Sequence, residues 1–482
     1  MGRLENVENV NKFIDLTRTV FLKCAGLAGI LFLVALIGNI SAKTYLFQEL
    51  WQLSVVLLLT MGALFIQQVK PVAYLPYMLA VWSVYPEIRR LLDWSFNSYS
   101  DTPIMALAPF LVSLTMLIPI IKGYKRLSRV SIAVLATAMF VFVYGLIIGL
   151  PQYGAMAAGF DFINYLSPML IVPYINVSTF HHSARDVWLK SFTSIAVVVG
   201  IYGIIQYFAI PPWDKFWMIQ SNMQSIGHPK PMEVRVFSTL NSPGPAGVYF
   251  SFALAVMVMN KKWRAFGVPG LLIVVFALLL TLVRSSWIGL VAMIIAYFMQ
   301  AKSQNKMKLV TMLAALVIFF QFVLPSLPGS DSITSRFESF GNLSEDTSYQ
   351  ERLAFSTHIS QYISANPLGN GLGSTGLSAK LNKNALQDFD NGYLNVFYTF
   401  GLPGGLFFIG LLLFLLVYTL KASNEHKEYR HLAFGTMVAV MFLFLSSNMM
   451  SGVGGACIWF LVSMVFMEHK EKVDHENLLR YP

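Results

Sequence analysis

The chain has 482 residues, a formal net charge of +10, 56% hydrophobic residues and only 12% charged ones, against about 45 to 50% apolar and roughly 25% charged in soluble proteins. That balance excludes an ordinary cytosolic enzyme, and a mean hydropathy of +0.61 excludes a disordered or fibrous polymer, which lacks the apolar groups needed to offset ordering entropy. What remains is an all-α polytopic membrane bundle, with basic residues in short clusters between apolar runs rather than in one nucleic-acid-binding patch.

Met1 to Thr19 is polar, and the first apolar run after it is long enough to stay in the membrane as an uncleaved anchor. Runs that approach the roughly 20 residues of a spanning helix lie near 20–41, 52–68, 71–86, 103–121, 130–150, 155–176, 191–210, 242–260, 267–283, 286–300, 308–324, 392–420, 432–448 and 453–467. Some are short, so about 12–14 spans are expected. With both termini inside, the inner segments carry 22 Lys and Arg residues and the outer ones 11, with Lys23 in the first span. This is the bias that orients helices. Cys24 and Cys457 both lie in apolar runs, and neither a disulfide framework nor a thiolate metal site is available.

Under that topology two substantial loops, Pro211 to Asn241 and Pro325 to Asp390, face outward and hold many of the residues that can do chemistry. In the larger one, Ser348-Tyr349-Gln350-Glu351 reads as a capping box opening a helix. Phe355, Ile359, Tyr362 and Ile363 then share a face until Asn366-Pro367 stops it. Gly371-Leu372-Gly373-Ser374-Thr375-Gly376 has G-x-G-x-x-G spacing but lacks the strand before it that a dinucleotide site requires. It is expected to be a loop whose glycines let backbone approach backbone or ligand. No metal-ligand spacing appears among the histidines, His181-His182 reads as a solvated pair, and there is no Walker-type loop. Neither a metal nor a cofactor is expected, so the energy must come with the substrate.

Three outward-opening spans begin with helix N-cap signatures: Asn241-Ser242-Pro243, Arg284-Ser285-Ser286 and Asp390-Asn391-Gly392. Clustered, their free N–H groups and positive dipole ends would make an anion site. Arg235, Arg284, Arg336 and Arg352 can supplement them, since guanidinium suits phosphate; interfacial snorkelling beside Trp287 is the alternative for Arg284, and a plain surface charge for Arg336. Asp161 lies near the outer end of a span, where a carboxylate needs a partner, such as an arginine, or a task.

Arg235-Val-Phe-Ser-Thr-Leu-Asn-Ser-Pro, Leu282-Val-Arg-Ser-Ser-Trp-Ile-Gly-Leu, Asn366-Pro-Leu-Gly-Asn-Gly-Leu-Gly and Asp390-Asn-Gly-Tyr-Leu-Asn-Val-Phe-Tyr-Thr-Phe-Gly occur in that order. Together they resemble the O-antigen ligase and polysaccharide polymerase family, most clearly from about Tyr202 to Leu420. The resemblance divides the chain into N-terminal spans over 1–240 and a ligase/polymerase-like region over 241–482. It implies a metal-independent glycosyltransferase at the outer face of a bacterial cytoplasmic (inner) membrane, using glycans carried on polyprenyl (undecaprenyl) diphosphate. Membrane lipids, a flippase and chain-length regulators are the other partners it implies, and nucleic acid is not one. Carried over by position, Arg235, Arg284 and Arg352 would bind the diphosphate and stabilise the leaving group. Ligases of the family carry a histidine just before the Asn that opens the late helix, where this chain has Asp390. Asp390 is a candidate base or a helix N-cap; Tyr393 can stack on a sugar or belong to the interfacial aromatic belt. Asn241, Ser285, Asn391 and Asp161 complete the expected substrate contacts. The leading expectation is a polymerase of lipid-linked repeat units for exopolysaccharide, capsule or O-antigen (lipopolysaccharide). A ligase to lipid A core and a transporter of a small anion or lipid-linked sugar are the alternatives.

Overall fold

A computed structural model describes residues 45–181, 183–300, 347–381, 389–422 and 427–470, with isolated positions between 301 and 346. The regular structure of the described residues is helical, with one isolated bridge between Gly227 and Val234 and no strand among them. In chain order the helices are α1 (Tyr45–Val69), α2 (Tyr74–Ser95), α3 (Ala108–Leu114), α4 (Leu117–Lys122), α5 (Arg129–Met169), α6 (Ile171–Val177), α7 (Ser183–Ala209) and α8 (Pro212–Ser221). They continue as α9 (Pro243–Met259), α10 (Gly267–Leu280), α11 (Arg284–Gln300), α12 (Thr347–Ala365), α13 (Gly376–Leu381), α14 (Gly392–Lys421), α15 (Lys427–Leu443) and α16 (Gly452–Ser463).

Five described segments are long and apolar enough to cross a membrane: Gln48–Val69, Ile104–Lys122, Arg129–Val177, Ser183–Ala209 and Gly392–Lys421. Shorter apolar helices include Pro243–Met259, Gly267–Leu280 and Gly452–Met467. The chain is therefore an all-α polytopic membrane protein. The spans expected near 20–41 and over most of 308–324 lie outside the described residues. Those expected separately at 130–150 and 155–176 join in α5, which is broken rather than ended: Pro151 lies inside it and Gly154 leaves the helical region at φ 78°. Proline removes a helical donor, and glycine accepts the left-handed turn at no steric cost. The same device recurs in α14, where Gly401 has φ 64° and Pro403 follows.

The chain forms two compact units. The first comprises residues 1–115 and 211–222. Its interior holds Val56, Met105 and Ala108, and two buried side chains find polar partners: Tyr74 donates to the Val112 carbonyl at 2.8 Å and Trp82 to Ser113 Oγ at 3.0 Å. α8 is fixed to α2 by charge. Arg90 pairs with Asp214 at 2.7 Å, bonds Glu87, and lies over the Trp217 ring, while Trp213 donates to Glu87. Arg90 and Asp214 are both buried, and charges out of water are tolerated only when paired in this way.

The second unit comprises residues 116–210 and 223–482. α9 is buried along nearly its whole length, as expected of a helix that is apolar all round. Small residues set its neighbours: a Cβ on Gly247 would stand 3.1 Å from Val283 Cβ and closer still to Ser286 Oγ, and one on Gly289 would meet Leu443 at 3.1 Å. α9 and α11 thus begin at the end of the bundle where α15 finishes. The expected helix forms as α12, which begins at Thr347 ahead of the expected cap Ser348, and lays Ile359 and Ile363 against Phe389 and Tyr398, with Phe355 alongside. The glycine loop after it threads between the two broken helices. Leu372 N–H donates to the Gly145 carbonyl at 2.8 Å, Gly371 N–H to Thr399 O at 2.8 Å, and Leu402 N–H to Pro367 O at 2.8 Å. Gly371, at φ 82°, would set a Cβ 2.2 Å from Gly149 N. Backbone touching backbone is the role its glycines imply.

Candidate functional site

α10 ends at Leu280, the chain turns through Leu282 at a left-handed φ of 56°, and α11 opens at Arg284. Arg235 braces that turn. Its Nε donates to Thr281 O at 3.4 Å, Nη2 to Leu282 O at 3.3 Å and Nη1 to Ser225 O at 3.1 Å, while the adjacent Val236 N–H donates to Leu280 O at 3.0 Å. A guanidinium beside the last carbonyls of a helix meets their negative dipole end. Arg284 and Ser285 emerge from this braced turn half-buried. Ser286, one residue on, is buried with an unpartnered Oγ directed at the start of α9.

Asn241 and Ser242 are half-buried at the start of α9. Ser242 occupies the N-cap in extended conformation and Pro243 follows at N1, but the serine side chain makes no capping bond. A Cβ on Gly244 would meet nothing within 4 Å. Pro243 and Pro245 carry no N–H, and Ala246 N–H donates to Ser242 O at 3.3 Å.

At the start of α14 the capping duty falls on Asn391, whose Oδ1 accepts from Leu394 N–H at 3.1 Å. Asp390, just ahead of it, is exposed. Gly392 N–H donates to Phe444 O at 2.7 Å, and a Cβ there would stand 2.8 Å from the Ser447 carbonyl. This close approach ties the start of α14 to the end of α15. Tyr393 serves the same joint: its hydroxyl donates to Met441 O at 2.9 Å and its ring meets Phe444 edge-on at 5.4 Å. Through Gly247, Gly289 and Gly392, the starts of α9, α11 and α14 share one end of the second unit.

A buried polar network fills in beside them. Asp161 Oδ2 accepts from Gly373 N–H at 3.0 Å, and the carboxylate also bonds Ser378. Its partners are a loop amide and a hydroxyl rather than an arginine, the partner weighed from the sequence. Asn395 donates to Thr375 Oγ1 at 3.0 Å; Asn448 donates to Asn395 Oδ1 at 3.1 Å and to Tyr165 Oη at 2.8 Å. Thr375, Asn395 and Asn448 were not singled out by sequence reasoning. An asparagine one turn into the apolar run of α14 was the available signal, since polar groups within a span need partners.

Arg352 lies in the early part of α12, one turn before Phe355. The Phe355 ring meets Phe389 at 5.1 Å, and Phe389 immediately precedes Asp390, so the backbone of α12 runs alongside the approach to α14. Arg336 lies outside the described residues. The arrangement can hold an anion at helix termini with guanidinium beside it, and can place a carboxylate at the rim.

Residues 269–409, from α10 to the middle of α14, match the family model described as O-Antigen ligase. No curated protein matches the chain. The turn that Arg235 braces, the glycine loop and the start of α14 fall within the matched stretch, and the match supports an O-antigen ligase/polymerase-type reading of this region.

Proposed function

We propose that the protein is a polymerase that joins polyprenyl-diphosphate-linked oligosaccharide units at the outer face of the bacterial cytoplasmic membrane, with both termini cytosolic. The observation that carries the reading is that the starts of α9, α11 and α14 share one end of the second unit, with Arg284 at one of them and Asp390 at another; positive helix ends beside a guanidinium favour an anion such as a diphosphate. Arg284 and Arg352 contact the diphosphate, with Asn241, Ser285 and Asn391 lining its seat. Arg235 contributes by holding the turn that presents Arg284 as well as by its charge. Asp161 orients the glycine loop, and Tyr393 fixes the mouth of the site.

In the reaction, a hydroxyl of the acceptor glycan attacks the anomeric carbon of the donor sugar. The bond from that carbon to the diphosphate oxygen breaks, the proton passes to the Asp390 carboxylate, and the polyprenyl diphosphate departs with its charge balanced by arginine and helix ends. No further energy source is required, because the leaving group is already activated. A flippase delivering the units and a regulator of chain length would work with it.

Replacing Asp390 by Asn, or Arg352 by Ala, in a producing cell is expected to abolish long-chain polysaccharide and let single lipid-linked units accumulate, with the protein still in the membrane. A positioned base typically contributes about 10² to 10⁴-fold, so polymer should fall below a hundredth of the wild-type amount. Wild-type chain lengths in both variants would overturn these roles. The family description itself favours one second reading, transfer of a finished glycan to lipid A core. In a strain lacking the protein, that reading predicts long lipid-linked chains, whereas polymerase loss leaves single units.

A further inference from the structure

The reaction above leaves a cluster of tyrosines and asparagines beside the glycine loop without a task. Tyr362, near the end of α12, is 42% exposed. Its ring packs on Tyr398 of α14 at 5.4 Å, and Tyr398 packs on Phe389 at 5.3 Å. Tyr153 lies at the break of α5, next to Gly154. Its Cβ is 3.1 Å from the position a Cβ on Gly373 would take.

Neutral amides accompany the rings. Tyr362 donates to Asn370 Oδ1 at 3.1 Å, Asn366 Nδ2 donates to the same oxygen at 3.3 Å, and Asn370 Nδ2 donates to Tyr398 O at 3.1 Å. Asn370 is thereby buried and spent, while Asn366 stays half-buried. Thr357, Ser360 and Ser364 on the same helix are exposed, each hydroxyl turned back on a carbonyl of its own helix. Tyr362 is thus a partly exposed aromatic ring on the side of α12 that carries exposed hydroxyl residues, although burying it fully would be favourable.

A pyranose has two kinds of surface: C–H faces that rest on the negative face of an aromatic ring, and hydroxyls that pair with carboxamides. A partly exposed tyrosine ring beside a half-buried asparagine matches both. The cluster is also continuous with the reacting end. Asn370 is three residues from Gly373, which bonds Asp161, and Phe389 is followed by Asp390.

We infer that Tyr362, with Tyr153 and Asn366, forms a sugar-binding subsite that holds a pyranose ring of the glycan undergoing extension. The inference rests on the glycosyltransferase reading and goes beyond it by assigning where the glycan is gripped. The ring supplies the affinity, and the Tyr362 hydroxyl only positions that ring against Asn370.

The test uses the full chain in liposomes, supplied with the polyprenyl-diphosphate oligosaccharide extracted from cells that lack the protein. Tyr362→Ala and Tyr362→Leu are expected to raise KM about tenfold with kcat within about twofold, whereas Tyr362→Phe, which keeps the ring, stays near wild type. Equal impairment of the Phe and Ala variants would assign the effect to the hydroxyl bond and overturn the subsite, as would a wild-type KM in the Leu variant. Should the wild type extend nothing, the polymerase reading falls by itself. Saturation-transfer NMR then decides the subsite separately, with the oligosaccharide released from its lipid by mild acid as the probe. Transfer in the wild type that is lost in Tyr362→Ala supports the subsite, and equal transfer, or none in the wild type, overturns it.

Discussion

Asp161 shows how much a single buried carboxylate can organise. Its span places it among apolar groups, and its bonds run to Gly373 N–H and Ser378, 212 and 217 residues along the chain. Asp161→Ala strands a buried amide, which costs about 1–3 kcal/mol, while Asp161→Asn retains an acceptor for that amide. In detergent, the Ala variant is therefore expected to melt several degrees below wild type, and the Asn variant to lie between them. Identical melting curves for all three would mean that the loop does not depend on this bond. The neighbouring helix start shows what residue type alone conveys. Asp390 and Asn391 are both good capping residues, and one register position decides that Asn391 caps while Asp390 stays exposed. Arg235 is similar: its charge was visible, but the three carbonyls it serves lie on segments that only folding brings together.

Among the elements, the glycine loop and the broken helices form one joint. α5 offers a controlled comparison, because two of its glycines sit in opposite surroundings. A Cβ on Gly149 would fall 2.0 Å from Leu372 O, whereas one on Gly159 would meet nothing within 4 Å. Gly149→Ala must push the loop away from the helix, costing about 1–3 kcal/mol or more. Gly159→Ala should be neutral or stabilising by up to about 1 kcal/mol, since alanine is the better helix former. Thermal unfolding of the two purified variants checks this, and similar midpoints would refute the close approach. α12 was the element most open to prediction, because its capping box, apolar face and terminal Asn-Pro are all local signals. The breaks in α5 and α14 were harder to read. Pro151, Gly154 and Pro403 resemble ordinary span boundaries in sequence, and the helix resumes only because the next segment has packing to return to.

At the scale of the whole molecule, α8 belongs to a unit from which the chain on either side of it is excluded. The Arg90 and Asp214 pair holds it there. Removing one member of a buried pair typically costs about 3–5 kcal/mol, because the other is left charged out of water. Asp214→Ala is thus expected to open α8 to limited proteolysis between Pro212 and Ser221, while Asp214→Asn, which keeps an acceptor for Arg90, retains more of the protection. Unchanged cleavage in the Ala variant would show that apolar contacts of Trp217 and Met218 suffice. The sequence by itself determined that this is a helical membrane protein, where α9, α11 and α14 begin, and which residue types stand at those three starts. Hydropathy, caps and breakers act within a turn or two of chain, so they survive in the linear text. Only the tertiary structure decided that Asp161 answers Gly373, that Asn395 and Asn448 share a network, and that Asp214 holds Arg90. Such pairings join residues far apart in the chain, and they form because buried polar groups must find partners wherever packing places them.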